Sequence, residues 1–156
     1  MAVIVNTNIV SDGLIYSIDA ANFRSYAGSG ITINGLVSGF GGTLFNGVGF
    51  GTTNGGFLIF DGTNDYADFP YKPIIDNSSF SISIWLKINS FISGGFMPLI
   101  DSGNFGAGAS AYTLAINNLN QLYVAVNAGY IAASNVLSTG TWYNFIATAA
   151  YGSPYN

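Results

Sequence analysis

The clearest pattern in the chain is an alternation. Residues 79–89 read Ser-Phe-Ser-Ile-Ser-Ile-Trp-Leu-Lys-Ile-Asn, with Phe80, Ile82, Ile84, Leu86 and Ile88 in one phase and Ser81, Ser83, Trp85 and Lys87 in the other. A period of two is that of a β-strand, whose side chains leave on alternate faces, so this stretch predicts a long strand with one apolar face. The same period runs through residues 13–20 (Leu14, Tyr16, Ile18 against Ile15, Ser17, Asp19) and 121–127 (Leu122, Val124, Val126 against Tyr123, Ala125). Shorter apolar pieces predict strands near residues 43–45, 48–50, 97–101, 111–117, 130–134 and 141–149. Residues 31–37 read as a short strand or as part of the loop before them.

Turn chemistry separates these pieces. An apolar run, Phe57-Leu58-Ile59-Phe60, enters Asp61-Gly62-Thr63-Asn64, and Tyr66-Ala67-Asp68-Phe69 leaves it. Glycine accepts positive φ, and short polar side chains bond their own backbone, so the stretch predicts a β-hairpin. Asn117 to Asn120 reads as another turn, and Pro70-Tyr71-Lys72-Pro73 as a loop. No stretch joins a 3.6-residue period to good helix formers, and no helix is expected. Many short strands between Gly-rich turns predict an all-β fold, an antiparallel β-sandwich or jelly roll. A single domain is expected over residues 13–156, after a short apolar arm at residues 1–12.

Composition sharpens the picture. Of 156 residues only 6% are charged, against 49% hydrophobic, and the net charge is −4. Soluble domains average about 25% charged residues. No charged side chain follows Asp101. A surface this poor in charge is weakly protected against association, which points to a subunit of a larger assembly. Three basic residues, Arg24, Lys72 and Lys87, exclude a phosphate-backbone footprint, so no nucleic-acid partner is expected. No run approaches the roughly 20 apolar residues of a spanning helix. The first residues, Met-Ala-Val-Ile-Val-Asn, carry no basic leader, and synthesis in a cytoplasm without a signal peptide is expected.

The chain has no Cys, His or Glu. Disulfides, thiolate metal sites and the usual nucleophilic triad are therefore excluded. Glycoside hydrolysis needs two facing carboxyl groups, and the best strand carries Ser, Trp and Lys instead. Asp101-Ser102-Gly103 mimics an aspartic-protease loop but reads as a strand-ending turn. Residues 47–51, Gly-Val-Gly-Phe-Gly, lack the Lys-Ser/Thr and the helix of a phosphate cradle. Asp61, Asp65 and Asp68 begin like a calcium loop, but Tyr66 stands where its sharp-turn Gly belongs and Lys72 where its bidentate Glu belongs. Turn chemistry is the expected role of these acids, and no cofactor is expected.

Taken in order, several of these motifs resemble a family. Ile9-Val10-Ser11-Asp12-Gly13-Leu14-Ile15-Tyr16-Ser17-Ile18-Asp19-Ala20-Ala21-Asn22, with Ser25-Tyr26 and Gly28-Ser29-Gly30 behind it, is similar to the opening of concanavalin A-like (laminin G-like) jelly-roll domains, in a form common in tailed-phage structural proteins. Residues 60–66 resemble the central hairpin of that family, residues 80–87 its core strand, and Thr141-Trp142-Tyr143-Asn144-Phe145 its later Trp-bearing strand. The resemblance implies a non-catalytic virion structural protein, a capsid-decorating or cementing subunit that forms homo-oligomers and binds capsid or tail subunits. Relatives usually run on through further strands, so the resemblance also implies a C-terminally shortened sandwich, either a minimal variant of the fold or, the preferred reading, one covered by a neighbouring subunit. Val3, Ile4, Val5 and Ile9 of the arm, with Trp142, Phe145, Tyr151 and Tyr155, are the expected interface residues. The fold is shared with lectins, which implies an alternative, a carbohydrate-binding module of a fibre or spike. Tyr66, Tyr71 and Tyr130 are its leading contacts, and Tyr143 and Tyr151 further ones.

Overall fold

The computed structural model describes residues 12–37, 39–70, 79–102, 112–126 and 129–150. It is all-β with antiparallel sheets, the fold class of the concanavalin A-like β-sandwich. The chain divides into two compact units, Met1–Pro73 and Ile74–Asn156.

The first unit is built from very short strands. These are β1 (Thr32–Ile33), β2 (Gly42–Phe45), β3 (Gly49–Gly51), β4 (Phe57–Ile59) and β5 (Tyr66–Asp68). They form two sheets, one ordered β1-β2-β5 and one pairing β3 with β4. Tyr26, Ile33 and Leu44 are buried together, with Val48, Phe50, Leu58, Ala67 and Phe69 packed around them, so residues of both sheets share one core. Two glycines are needed for close packing. A Cβ on Gly42 would run into the Phe69 ring and one on Gly51 into the Phe57 ring, so each aromatic lies over a bare stretch of strand.

The predicted hairpin is corrected here. β4 pairs with β3, in the register Phe50 opposite Leu58, and β5 pairs with β2, in the register Leu44 opposite Ala67. The turn after Phe60 thus carries the chain from one sheet to the other. Such turn chemistry fixes a reversal but not the strands that it joins, and here Phe60 to Asp65 connect strands of different sheets. The predicted strand at residues 13–20 is also corrected, because residues 14–19 join no ladder. Polar side chains capture the backbone at its end. Asp19 Oδ1 accepts from the Ala21 amide at 2.9 Å, and Asn22 Oδ1 from the Arg24 amide at 3.0 Å. Ser25, fully buried, accepts the Asp19 amide at 3.1 Å and donates its hydroxyl to the Asn34 carbonyl at 2.7 Å. One short 3-10 turn, Thr53–Gly55, stands where no helix was expected, and Asn54 enters it at φ 54°.

The second unit has longer strands. They are β6 (Phe80–Lys87), β7 (Met97–Asp101), β8 (Tyr112–Ile116), β9 (Gln121–Val126), β10 (Gly129–Val136) and β11 (Trp142–Ala149). One sheet is ordered β10-β9-β8-β7 and the other pairs β11 with β6. All six lie where the alternation and the apolar runs predict, within a few residues at their ends. On β6 the phase is as predicted. Phe80, Ile82, Ile84 and Leu86 are half-buried, while Ser81, Ser83 and Trp85 are exposed. Ile88, Ile116 and Leu137 form the core, with Leu86, Phe91, Met97, Leu99, Tyr143 and Phe145 packed on it. The turn after β8 is built by Asn117, whose Oδ1 accepts the Leu119 and Gln121 amides at 2.9 Å each, and Asn120 takes φ 58°.

Candidate binding surface

Antiparallel partners directly opposite each other share a face, so register fixes which side chains lie together. Tyr123 on β9 faces Ala132 on β10 and Ala115 on β8, and Ala125 faces Tyr130 and Thr113. Tyr123, Tyr130, Ala115 and Thr113 therefore occupy one face of the four-stranded sheet. Leu114 and Ile116 point to the other. With alanines between them, the two tyrosines meet diagonally. Their rings stack at 5.3 Å with 26° between planes. Phe96, just before β7, meets Tyr123 edge-on at 4.8 Å. Tyr130, at the open end of this row, is 67% exposed. Burial first, and then the neighbouring Tyr130, push the Tyr123 phenol up from its ordinary value, so it remains a neutral hydroxyl that both donates and accepts.

A second aromatic pair lies in the first unit. Phe45 on β2 and Tyr66 on β5 are direct partners in the ladder. Their rings stack at 4.7 Å with 11° between planes, and both are exposed. Of the expected glycan contacts, Tyr66 and Tyr130 are thus exposed on separate aromatic pairs. Tyr71 lies outside the described residues, as does Tyr151. Tyr143 is stacked on Phe145 at 5.6 Å, and its hydroxyl accepts the Ser138 amide at 2.9 Å. Phe45, Phe96 and Tyr123 were not singled out from sequence. Tyr123 was legible only as one phase of a strand, and Phe45 needs the non-local pairing of β2 with β5.

The three candidate calcium ligands are not brought together. Among the described residues no group of three acidic side chains is placed to hold a metal ion. Asp61 Oδ1 accepts from the Thr63 amide at 2.7 Å and the Asn64 amide at 3.4 Å, and Asp65 Oδ2 accepts from the Asp61 amide at 3.0 Å. The Thr63 amide is the main cause holding the Asp61 carboxyl below its ordinary value. Asp68 sits on β5 opposite Thr43 and is exposed. Asp61 and Asp65 are turn-forming acids, and Asp68 is a strand residue. Asp101 and Ser102 likewise serve a strand end: Asp101 Oδ1 accepts the Thr113 hydroxyl at 3.0 Å and Ser102 Oγ the Tyr112 amide at 2.8 Å.

The expected interface residues divide. Val3, Ile4, Val5, Ile9, Tyr151 and Tyr155 lie outside the described residues. Phe145 is half-buried and packs on the core of the second unit. Trp142 is half-buried on β11, with the Lys87 ammonium 5.6 Å from its ring centre. The apolar groups that β6 and β11 do display are Trp85, 68% exposed, and Ile146, 67% exposed. They share a face with a polar rung, in which Ser81 and Thr148 hydroxyls meet at 3.0 Å and the Asn144 amide donates to Ser83 at 3.3 Å.

Residues 61–154 match the family described as the concanavalin A-like lectin/glucanases superfamily, a laminin G-like group, and the chain belongs to it. No curated protein and no solved structure matches the chain. Domains of this family are generally non-catalytic and fit lectin-like or structural roles.

Proposed function

We propose that the chain is a non-catalytic virion structural protein, a subunit that decorates or cements a tailed-phage capsid through subunit–subunit contacts. The observation that carries this reading is the surface. The chain is 6% charged, yet Phe23, Trp85, Tyr130, Ile131, Val136 and Ile146 all stand at least half exposed. Apolar surface of this kind is stabilised by being covered, and lasting interfaces are the more hydrophobic ones. The opening residues, which resemble phage structural proteins, supply the virion. Homo-oligomers and capsid or tail subunits are the proposed partners, and the virion the proposed location. The test is co-sedimentation of the purified chain with undecorated particles, beside a variant lacking residues 1–10. Saturable binding that weakens in the deletion supports the reading. Absence of binding to particles, together with a monomeric chain at all concentrations, overturns it.

A second reading is supported by the Phe96–Tyr123–Tyr130 row. An exposed ring flanked by phenol hydroxyls offers a sugar both a stacking face and hydrogen bonds. In this reading the chain is a glycan-binding module of a fibre or spike. Titration with host surface polysaccharide tests it. Tyr130→Ala, an exposed change expected to alter stability by no more than about 0.5 kcal/mol, abolishes binding if the row is the site.

A further inference from the structure

We propose that β10 is a dimerisation edge, which adds antiparallel, across a two-fold axis, to β10 of a second copy of the chain. This rests on the assembly reading above and names its partner. The argument begins with the two ends of the four-stranded sheet. β7 closes one end and β10 the other. β7 is guarded in three ways that sheets use against edge pairing: Pro98 donates no amide, the register shifts between Pro98 and Ile100, and Asp101 brings a charge. β10 reads Gly-Tyr-Ile-Ala-Ala-Ser-Asn-Val, eight residues with neither a charge nor a proline. Its one irregularity falls between Ala132 and Val136, which leaves Gly129 to Ala132 in regular ladder with β9.

Among the described residues no strand pairs with the outer side of β10. Every residue from Tyr130 to Val136 is exposed, so the strand is open on both faces as well as along its edge. β11 is also free of charge and proline, but its side chains alternate between half-buried and exposed, as in a strand packed on a core. Charge selects the occupant. The seven acids lie between Asp12 and Asp101, and the net charge of −4 makes two copies repel. The segment beyond Asp101 carries no charge, so it is where two copies meet with the least repulsion. Isologous pairing through one edge also closes the assembly, with no further β10 left to extend it.

Two-fold antiparallel pairing makes a sharp geometric demand. One residue of β10 must face its own symmetry mate, at a Cα separation of about 4.5–5.5 Å. That lies inside the range of about 4.4–6.8 Å for a disulfide. Its neighbours are offset from their own mates by two residues, roughly 8 Å, which a disulfide does not span. The chain has no native cysteine, so single substitutions report cleanly. The experiment scans Tyr130→Cys, Ile131→Cys, Ala132→Cys, Ala133→Cys and Ser134→Cys under mild copper-phenanthroline oxidation, with Pro98→Cys and Thr148→Cys for comparison. Native mass is read by light scattering over a dilution series. The expected result is covalent dimer at one β10 position, reduced chain at its neighbours, and loss of the non-covalent dimer in Ala133→Lys. An oligomeric chain with no single peak on β10, or with its peak at residue 98 or 148, overturns the β10 edge and leaves the assembly reading standing. A monomer at every concentration overturns the β10 edge, and only with absence of particle binding as well does it overturn the assembly reading.

Discussion

The two units solve the same problem with different materials. In the second, strands of five to eight residues alternate inward and outward, and eight consecutive partners join β6 to β11. In the first, strands of two to four residues are too short to define a sheet alone. There the backbone is held by side chains in the loops, with Ser25 tying Asp19 to Asn34, and by aromatics seated on bare glycines. Ladders hold one unit, and loop hydrogen bonds and close packing hold the other. The difference teaches where each is vulnerable: the second to loss of core volume, the first to loss of single polar groups or gain of single methyls.

The largest effect is expected in the second unit. Leu114 is 1% exposed at the centre of β8. Leu114→Ala leaves a cavity flanked by ladders that relax little, and is expected to destabilise by about 2–5 kcal/mol. Urea unfolding followed by tryptophan fluorescence checks it, because Trp85 and Trp142, the two tryptophans of the chain, both lie in this unit. A change below about 1 kcal/mol would mean that the strand interior rearranges freely, against the close packing of native cores.

Next come two changes in the first unit. Gly42→Ala forces the Phe69 ring off β2, an overpacking expected to cost about 1–3 kcal/mol. Ser25→Ala strands the Asp19 amide and the Asn34 carbonyl beside a fully buried site, also about 1–3 kcal/mol. Both variants sharpen the comparison when unfolding is read by two probes. Far-ultraviolet circular dichroism follows both units, and tryptophan fluorescence only the second. A single cooperative domain, the sequence expectation, shifts both curves together. A shift in circular dichroism alone would show two independently folding units.

The same contrast explains what was legible in sequence. Phe80 to Ile88 announces its strand because one face is apolar through the whole stretch, and periodicity over eight or more positions outweighs local preference. In the first unit the strands on either side of the turn at Asp61 pair with non-neighbours, β4 with β3 and β5 with β2. Asp-Gly-Thr-Asn marks a turn in either case, whether it returns the chain along the same sheet or passes it to the next. Residues 13–20 alternate as a strand does, but alternation specifies a face, not a partner, and Asp19, Asn22 and Ser25 offer the backbone other bonds. Of the binding surface, Tyr130 and Tyr66 were visible as aromatics. The rings they stack on were not, since stacking follows register across strands. Asp61 and Asp65 bond the turn that Asp-Gly-Thr-Asn marks in sequence, whereas Asp68 lies on β5.

The smallest effects are expected with pH, and they separate the units by sign. Asp61 is held below its ordinary value of 3.8, mainly by the Thr63 amide. A carboxylate with a lowered folded value contributes stability above that ordinary value and loses it as pH falls through the folded one. Acid below 3.8 therefore loosens the turn between β4 and β5. Because Asp61 is fully exposed, the expected outcome is local: faster amide exchange at Thr63 and Asn64, with the second unit unchanged. Tyr112 of the second unit, packed on Phe80 at 5.8 Å, is raised above 10.0 by burial. A phenol with a raised folded value contributes stability below its unfolded value and loses it as pH rises through the folded one. Base above 10.0 therefore weakens the β6–β8 packing. Absorbance at alkaline pH should show this phenol ionising late, together with the change in tryptophan fluorescence. If Asp61→Asn, which keeps an accepting oxygen but cannot titrate, still lost protection at Thr63 as pH falls below 3.8 as the parent does, the Asp61 carboxylate would not be what holds the turn.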